Sequence, residues 1–132
     1  LGKAVAGYQV MSYVLLHSSF REVLAVDADN VLVDDPTPLF ASAAFQRSGA
    51  VFWPGAWNFN LLGLLWEVIG QAPRTVPSLD KSQLLLDRTK HRLPLELAAF
   101  WNLRGPNRFY RLGNGDSDLF LFAWLALSAP HH

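Results

Sequence analysis

The sequence predicts an α/β domain, and three observations carry that expectation. Short apolar runs bounded by turn residues, Glu22–Val26, Ala50–Trp53 and Gln83–Asp87, read as strands. Stretches with apolar residues at helical spacing lie between them, the alternation expected of strands covered by helices. The 132 residues are the size of one domain, residues 1–132, with one core.

Residues 4–17 form the first predicted helix, with Val5, Tyr8, Tyr13 and Leu16 on a shared apolar side. Ser18-Ser19-Phe20 turns the chain into the strand Glu22–Val26. Residues 30–38 read as a loop, because Asp34-Asp35-Pro36 and Pro38 discourage regular structure. A short helix is expected over 39–46, then a strand Ala50–Trp53 that Pro54-Gly55 stops. Residues 58–69 read as an apolar helix closed by Gly70. Pro73 and Pro77 mark 72–80 as a connecting loop before the buried strand Gln83–Asp87. Pro94 opens a helix reaching about Asn102, residues 109–112 are expected to be extended, and Asp116–Ser128 reads as the last helix.

Eleven basic residues balance eleven acidic ones, so no basic face recommends a nucleic-acid partner. Without cysteine, disulfide frameworks, thiolate metal sites and Cys nucleophiles are excluded. The apolar stretches 61–66 and 119–127 fall short of the roughly 20 residues a membrane-spanning helix needs. A hydrophobic content of 51% leans apolar for a domain of this size. The chain begins without Met and reads as an excerpt of a longer protein.

The most informative segment is Val23–Asn30, an apolar run that ends in Asp27-Ala28-Asp29. In extended backbone, side chains at i and i+2 share a face, so the two carboxylates are expected to converge at the strand's carboxyl edge. Two hard oxygen donors suit Mg²⁺ or Mn²⁺, which keep further places for water and a substrate phosphate. The bland alternative is a strand end whose acids cap a turn. A phosphatase of the haloacid dehalogenase type also begins with a strand and Asp-x-Asp. Here Asn30-Val31 stands where Gly-Thr commonly comes next in those enzymes, and no later acidic pair with a helper Lys is evident. Paired glycosidase carboxylates sit on separate strand ends about 5 to 9 Å apart, a different arrangement.

Further positions carry a wider pattern: Ser18 or Ser19, Phe20, Asp27-Ala28-Asp29-Asn30, Asp35-Pro36, Leu39-Phe40, Gly49–Pro54, Gln83 before an apolar strand ending in Asp87, Tyr110, Gly115-Asp116-Ser117-Asp118, Phe120 and Ala123-Trp124. In this order the chain resembles a metal-dependent glycosyltransferase family that includes the fungal alpha-mannosyltransferases of glycan outer chains. The resemblance implies the GT-A fold, a Rossmann-like nucleotide-diphospho-sugar transferase architecture. This chain would be its C-terminal portion, a mixed sheet flanked by helices, with the nucleotide-binding beginning ahead of Leu1. It further implies GDP-mannose as donor, Mn²⁺ or Mg²⁺ as cofactor and a glycan or glycoconjugate hydroxyl as acceptor. The implied setting is the lumenal side of the Golgi membrane, with attachment through a segment outside this chain.

Residue by residue, the resemblance assigns Asp27, Asp29 and Asn30 to the donor and its metal. His132, with His131 behind it, is the expected third metal ligand, against the alternative of a tail or tag. Gln83 and Asp116 are the expected catalytic or sugar-orienting residues, with Asp118 as a further substrate contact. Trp57 is the expected sugar platform, since sugars lie well against flat aromatic faces. Trp53, Trp66, Trp101 and Trp124 are expected in the core, and His17 and His91 in surface or packing positions. An altered or truncated domain that binds sugar without catalysis is the competing reading. The chain departs from the family at Met11, where Lys is usual, at Gly55, where an acid is usual, at Asp80-Lys81-Ser82-Gln83, where Glu-Ser-Gly-Gln is usual, and at Leu119, where Thr is commoner.

Overall fold

The structure, a computed structural model, describes residues 7, 9–59, 64–104, 109–110 and 115–132, without the side chains of 57–59. Its elements in chain order are α1 (Gln9–His17), β1 (Glu22–Val26), α2 (Thr37–Phe40), α3 (Ala43–Ser48), β2 (Ala50–Phe59), α4 (Leu64–Val68), β3 (Val76–Asp87), α5 (Arg92–Arg104) and α6 (Asp116–Ala126). The strand over 22–26 has the bounds expected of it. The helix expected over 39–46 is two short ones, broken where the Ser42 hydroxyl accepts from the Phe45 amide at 3.3 Å and caps α3.

The sheet corrects three expectations. Its order is β1-β3-β2 with both pairings antiparallel, so among the described residues it is not a mixed sheet. The chain returns through α4 and inserts β3 between the two earlier strands, running against both. Next, β2 runs on through Pro54-Gly55 to Phe59, which takes Asn58 and Phe59 out of the predicted helix. A proline is tolerated because β2 is the outer strand, and an irregularity between Pro54 and Asn58 absorbs extra residues. There a Cβ on Gly55 would meet the Ser78 hydroxyl at 2.5 Å. Last, β3 starts at Val76 and takes in half of the predicted loop; Pro77 lies where β3 pairs with β2 but β1 does not reach. Residues 60–63 and 111–112, also expected to be regular from the sequence, lie outside the described residues, and Phe109-Tyr110 form a tight turn rather than extended chain.

Alternation along β3 divides its side chains. Leu84 and Leu86 face the main core together with Val23 and Ala25 of β1 and Ala50 and Phe52 of β2. Helix α6 packs on that face, and α5 packs against α6 and α1. Leu119 to Leu125 are all buried, so α6 is enclosed on every side and shows no polar stripe. Trp66, Trp101 and Trp124 are core, as expected. No helix among the described residues is long and apolar enough to cross a membrane.

Two polar devices fix the elements around β1. The Arg88 guanidinium donates to the carbonyls of Leu15, Leu16 (2.6 Å) and Phe20 (2.6 Å), closing the C-terminal turn of α1 onto the end of β3. Asp87, buried at the same end, accepts from Arg21 at 3.1 Å and from the amides of Thr89 and Lys90. Burial alone would raise its pKa, but these donors together outweigh it and hold the carboxyl below its ordinary value.

His91 is a buried packing residue. Its Nδ1 accepts from the Trp124 indole at 3.1 Å, so Nε2 carries the proton and donates to the Ser48 carbonyl at 2.7 Å. Burial, only partly countered by Ser48 and Asp87, lowers its pKa from the ordinary 6.5. The stability this neutral ring contributes is complete above the unfolded value of 6.5 and is lost as pH falls from there through the folded value. Thermal unfolding monitored from about pH 7.5 down to about pH 5 is expected to show a declining limb that His91→Gln flattens. Asp87 does not contribute in that window, since its loss begins only below the ordinary 3.8.

Candidate functional site

Strand β1 delivers Asp27 as expected, but beyond Asp27 the chain turns. The Asn30 amide donates to the Asp27 carbonyl at 3.0 Å, which closes Asp27–Asn30 into a β-turn. Strand alternation therefore stops at Val26 and does not set the relation between the two carboxylates. Asp27 is half-buried and Asp29 is exposed. The turn is anchored on β3: the Asp27 amide and the Asn30 side-chain amide both donate to the Ser82 carbonyl, at 2.9 and 3.2 Å.

That anchor belongs to an irregularity in β3. Leu84 pairs with Phe52, but the next β2 residue, Trp53, pairs with Asp80, so Lys81, Ser82 and Gln83 bulge from the β2 side. The Asp80 carboxylate accepts from the Ser82 amide at 2.9 Å and holds the bulge in an Asx turn. Gln83, half-buried, pairs with Val26 immediately before Asp27.

Lys81 leaves the bulge toward α6. Its Nζ lies 2.6 Å from Asp116 Oδ2, with side-chain exposures of only 18% and 9%. Asp116 and Asp118 occupy the first turn of α6, where carboxylates complement the helix dipole, and both are buried. Gly115 precedes them at φ +106°, a conformation that favours glycine. Close by, the Tyr110 hydroxyl donates to Asn102 Oδ1 at 3.1 Å. Burial and then the charge of Asp116 push its pKa to about 12, so the phenol stays protonated.

Asp27 and Lys81 line one end of a cleft of about 610 Å³ between α1 and β1, whose walls include Val10, Met11, Val14 and Val26. Asp27 and Lys81 share this cleft and Lys81 reaches Asp116, whereas Gln83 and Asp116 are not among the residues that line it. His132 is not among them. Its backbone bonds to Ala50 and Phe52 along the outer edge of β2, so β3 and β2 both intervene between it and Asp27. With His131 and Trp53 it lines a separate pocket of about 290 Å³. No group of three His, Cys, Asp or Glu side chains placed to hold a metal occurs among the described residues. The Trp57 side chain lies outside the described residues. Lys81 stands out in the sequence only as a departure from the family pattern; the Asp-x-Ser pattern ahead of Gln83 is the local signal of the turn that displaces it.

A family model described as “Mannosyltransferase putative” matches residues 1–73, which contain α1, β1 and the Asp27–Asn30 turn. The alpha-1,2-mannosyltransferase MNN21 of Candida albicans is 27% identical over 173 aligned residues, covering 96% of this chain and 26% of that protein. MNN23 of the same organism is also 27% identical, with 93% of this chain and 29% of its own length covered. MNN2 of Saccharomyces cerevisiae is 26% identical, with 89% and 27% covered. The chain spans less than a third of the length of these relatives. No solved structure matches it.

Proposed function

The chain belongs to this mannosyltransferase family, and on that premise we propose that its parent protein transfers mannose from a nucleotide-diphosphate donor to a glycan hydroxyl in α-1,2 linkage. GDP-mannose is the proposed donor, a GT-A catalytic domain the proposed setting, and the lumenal side of the Golgi membrane the proposed place. The observation that supports this most is the junction of the Asp27–Asn30 turn with the β3 bulge, which links an acid at a cleft to the buried Asp116.

Asp27 and Asp29 fit a hard divalent cation by their donor chemistry. They are two carboxylates of one tight turn, one half-buried and one exposed, and they leave coordination places for water and phosphate oxygens. Bound Mn²⁺ or Mg²⁺ would supply Lewis acidity toward the departing diphosphate. The chain's own residues orient the reactants. Gln83 offers an amide beside Asp27, and the apolar wall of α1 and β1 limits access of water. If configuration is retained, no side-chain base is needed, because the leaving phosphate takes the acceptor proton.

The test is transfer by the whole enzyme from GDP-mannose to a mannoside acceptor. Turnover that stops on chelation and returns with Mn²⁺ is the expected result. Transfer that is indifferent to chelation removes the metal from the proposal. Hydrolysis of simple phosphate esters through a phosphoryl group on Asp27 replaces it with a phosphatase.

A further inference from the structure

Strand β1 is the open margin of the sheet. Strand β3 occupies one side of it, and no strand pairs with the other side among the described residues. The opposite margin is partly closed, since the His132 backbone bonds to Ala50 and Phe52 along β2. The Asp27 amide donates to the Ser82 carbonyl and the Arg88 amide to the Arg21 carbonyl, so in this register the odd-numbered residues of β1 exchange bonds with β3. The backbone N–H and C=O groups of Leu24 and Val26 therefore point outward. Free edges are usually blunted by Lys, Pro or a bulge, and β1 carries none of these. Four consecutive residues, Val23 to Val26, line the cleft beside α1. Neighbours alternate between faces, so this cleft follows the edge of the strand rather than either face. Its other wall carries Val10 and Val14, both exposed.

The direction of α1 says what fits there. Arg88 ties the C-terminal turn of α1 to Phe20, just ahead of β1, and the helix lines the cleft from Val10 to Leu15, so it runs against β1. A helix in that relation to the strand after it is the return of a β-α-β crossover, whose first strand lies parallel to the second in the same sheet. With β3 on one side of β1, the outer edge is the place left for such a strand. Chain to supply it is plentiful in the relatives, of which this chain covers 26 to 29%. We propose that the outer edge of β1 and the facing wall of α1 receive a parallel strand from the part of the parent protein that precedes Leu1. Its backbone pairs with Leu24 and Val26, and its apolar side chains fill the cleft against Val10 and Val14. The proposal rests on the length of the relatives and not on mannosyl transfer.

The experiment is amide hydrogen exchange on the whole wild-type protein, resolved to single residues, joined to photo-crosslinking from Val14→benzoylphenylalanine. Val23 and Ala25 bond to β3 and serve as internal references. The Leu24 and Val26 amides are expected to exchange within about 10-fold of those references, because a docked strand holds them equally. The crosslink is expected within one molecule, on a peptide upstream of Leu1. Leu24 and Val26 amides that exchange as freely as unstructured chain overturn the proposal. So does a protein in which no crosslink forms upstream of Leu1, or in which it falls downstream of His132. Protection that fades on dilution, with crosslinks between molecules, overturns it in favour of a second copy seated on the edge. None of these readings depends on turnover, so a protein that transfers no mannose refutes the mannosyl-transfer reading and leaves this one to its own result.

Discussion

Replacing Asp29 by alanine in the whole enzyme is expected to lower mannosyl transfer by about 10²- to 10³-fold while leaving the fold intact. Asp29 is exposed at the tip of the Asp27–Asn30 turn, and the hydrogen bonds that build this turn use the Asp27 and Asn30 backbone and the Asn30 side chain. Nothing structural is therefore lost with its carboxylate, whereas half of the proposed metal donor set is. Calorimetric titration with Mn²⁺ gives a readout independent of turnover: wild type is expected to bind in the presence of GDP, and Asp29→Ala to bind far more weakly. An Asp29→Ala enzyme with undiminished turnover would remove the aspartate pair from the mechanism.

The second large effect is on stability. Trp124→Ala is expected to cost about 3 to 5 kcal/mol, a substantial part of the roughly 5 to 15 kcal/mol that holds a domain folded. Trp124 is fully buried on α6, packs edge-on against Phe52 of β2 at 5.2 Å between centroids and lies over His91 at 5.6 Å. Its indole N–H also satisfies His91 Nδ1. Alanine leaves a void where helix meets sheet and strands a buried acceptor, two penalties that add. Trp124→Phe keeps most of the ring but not the donor, so it is expected to lose less, about 1 to 3 kcal/mol. Urea unfolding of the three proteins checks the order; equal midpoints for Trp124→Ala and wild type would contradict this account of the core.

Much of the site was legible because its signals are local. An apolar run closed by acids marks a strand end wherever it occurs, and Glu22–Val26 with Asp27 next to it is where the structure has it. A carboxylate pair after Gly115 marks a helix start, and α6 begins there. The expected coupling of Asp27 and Asp29 through strand alternation failed because a turn intervenes, and the hydrogen bond that closes it ends at Asn30. The reading of residues 72–80 as loop failed because β3 keeps pairing with β2 through Pro77, at an end of the strand that β1 does not reach and where a proline is tolerated.

The sequence by itself determined the periodic elements, the acids at the end of β1, the exclusion of thiol chemistry and the family to which the chain belongs. The tertiary structure alone decided that β3 runs between β1 and β2, that His132 lies across the sheet from Asp27, and that Lys81 meets Asp116. The physical reason is range. Propensity, alternation and capping act over a few residues along the chain. Strand order and ion pairing join residues far apart in it, and they depend on how the apolar faces of several elements close on one another at once.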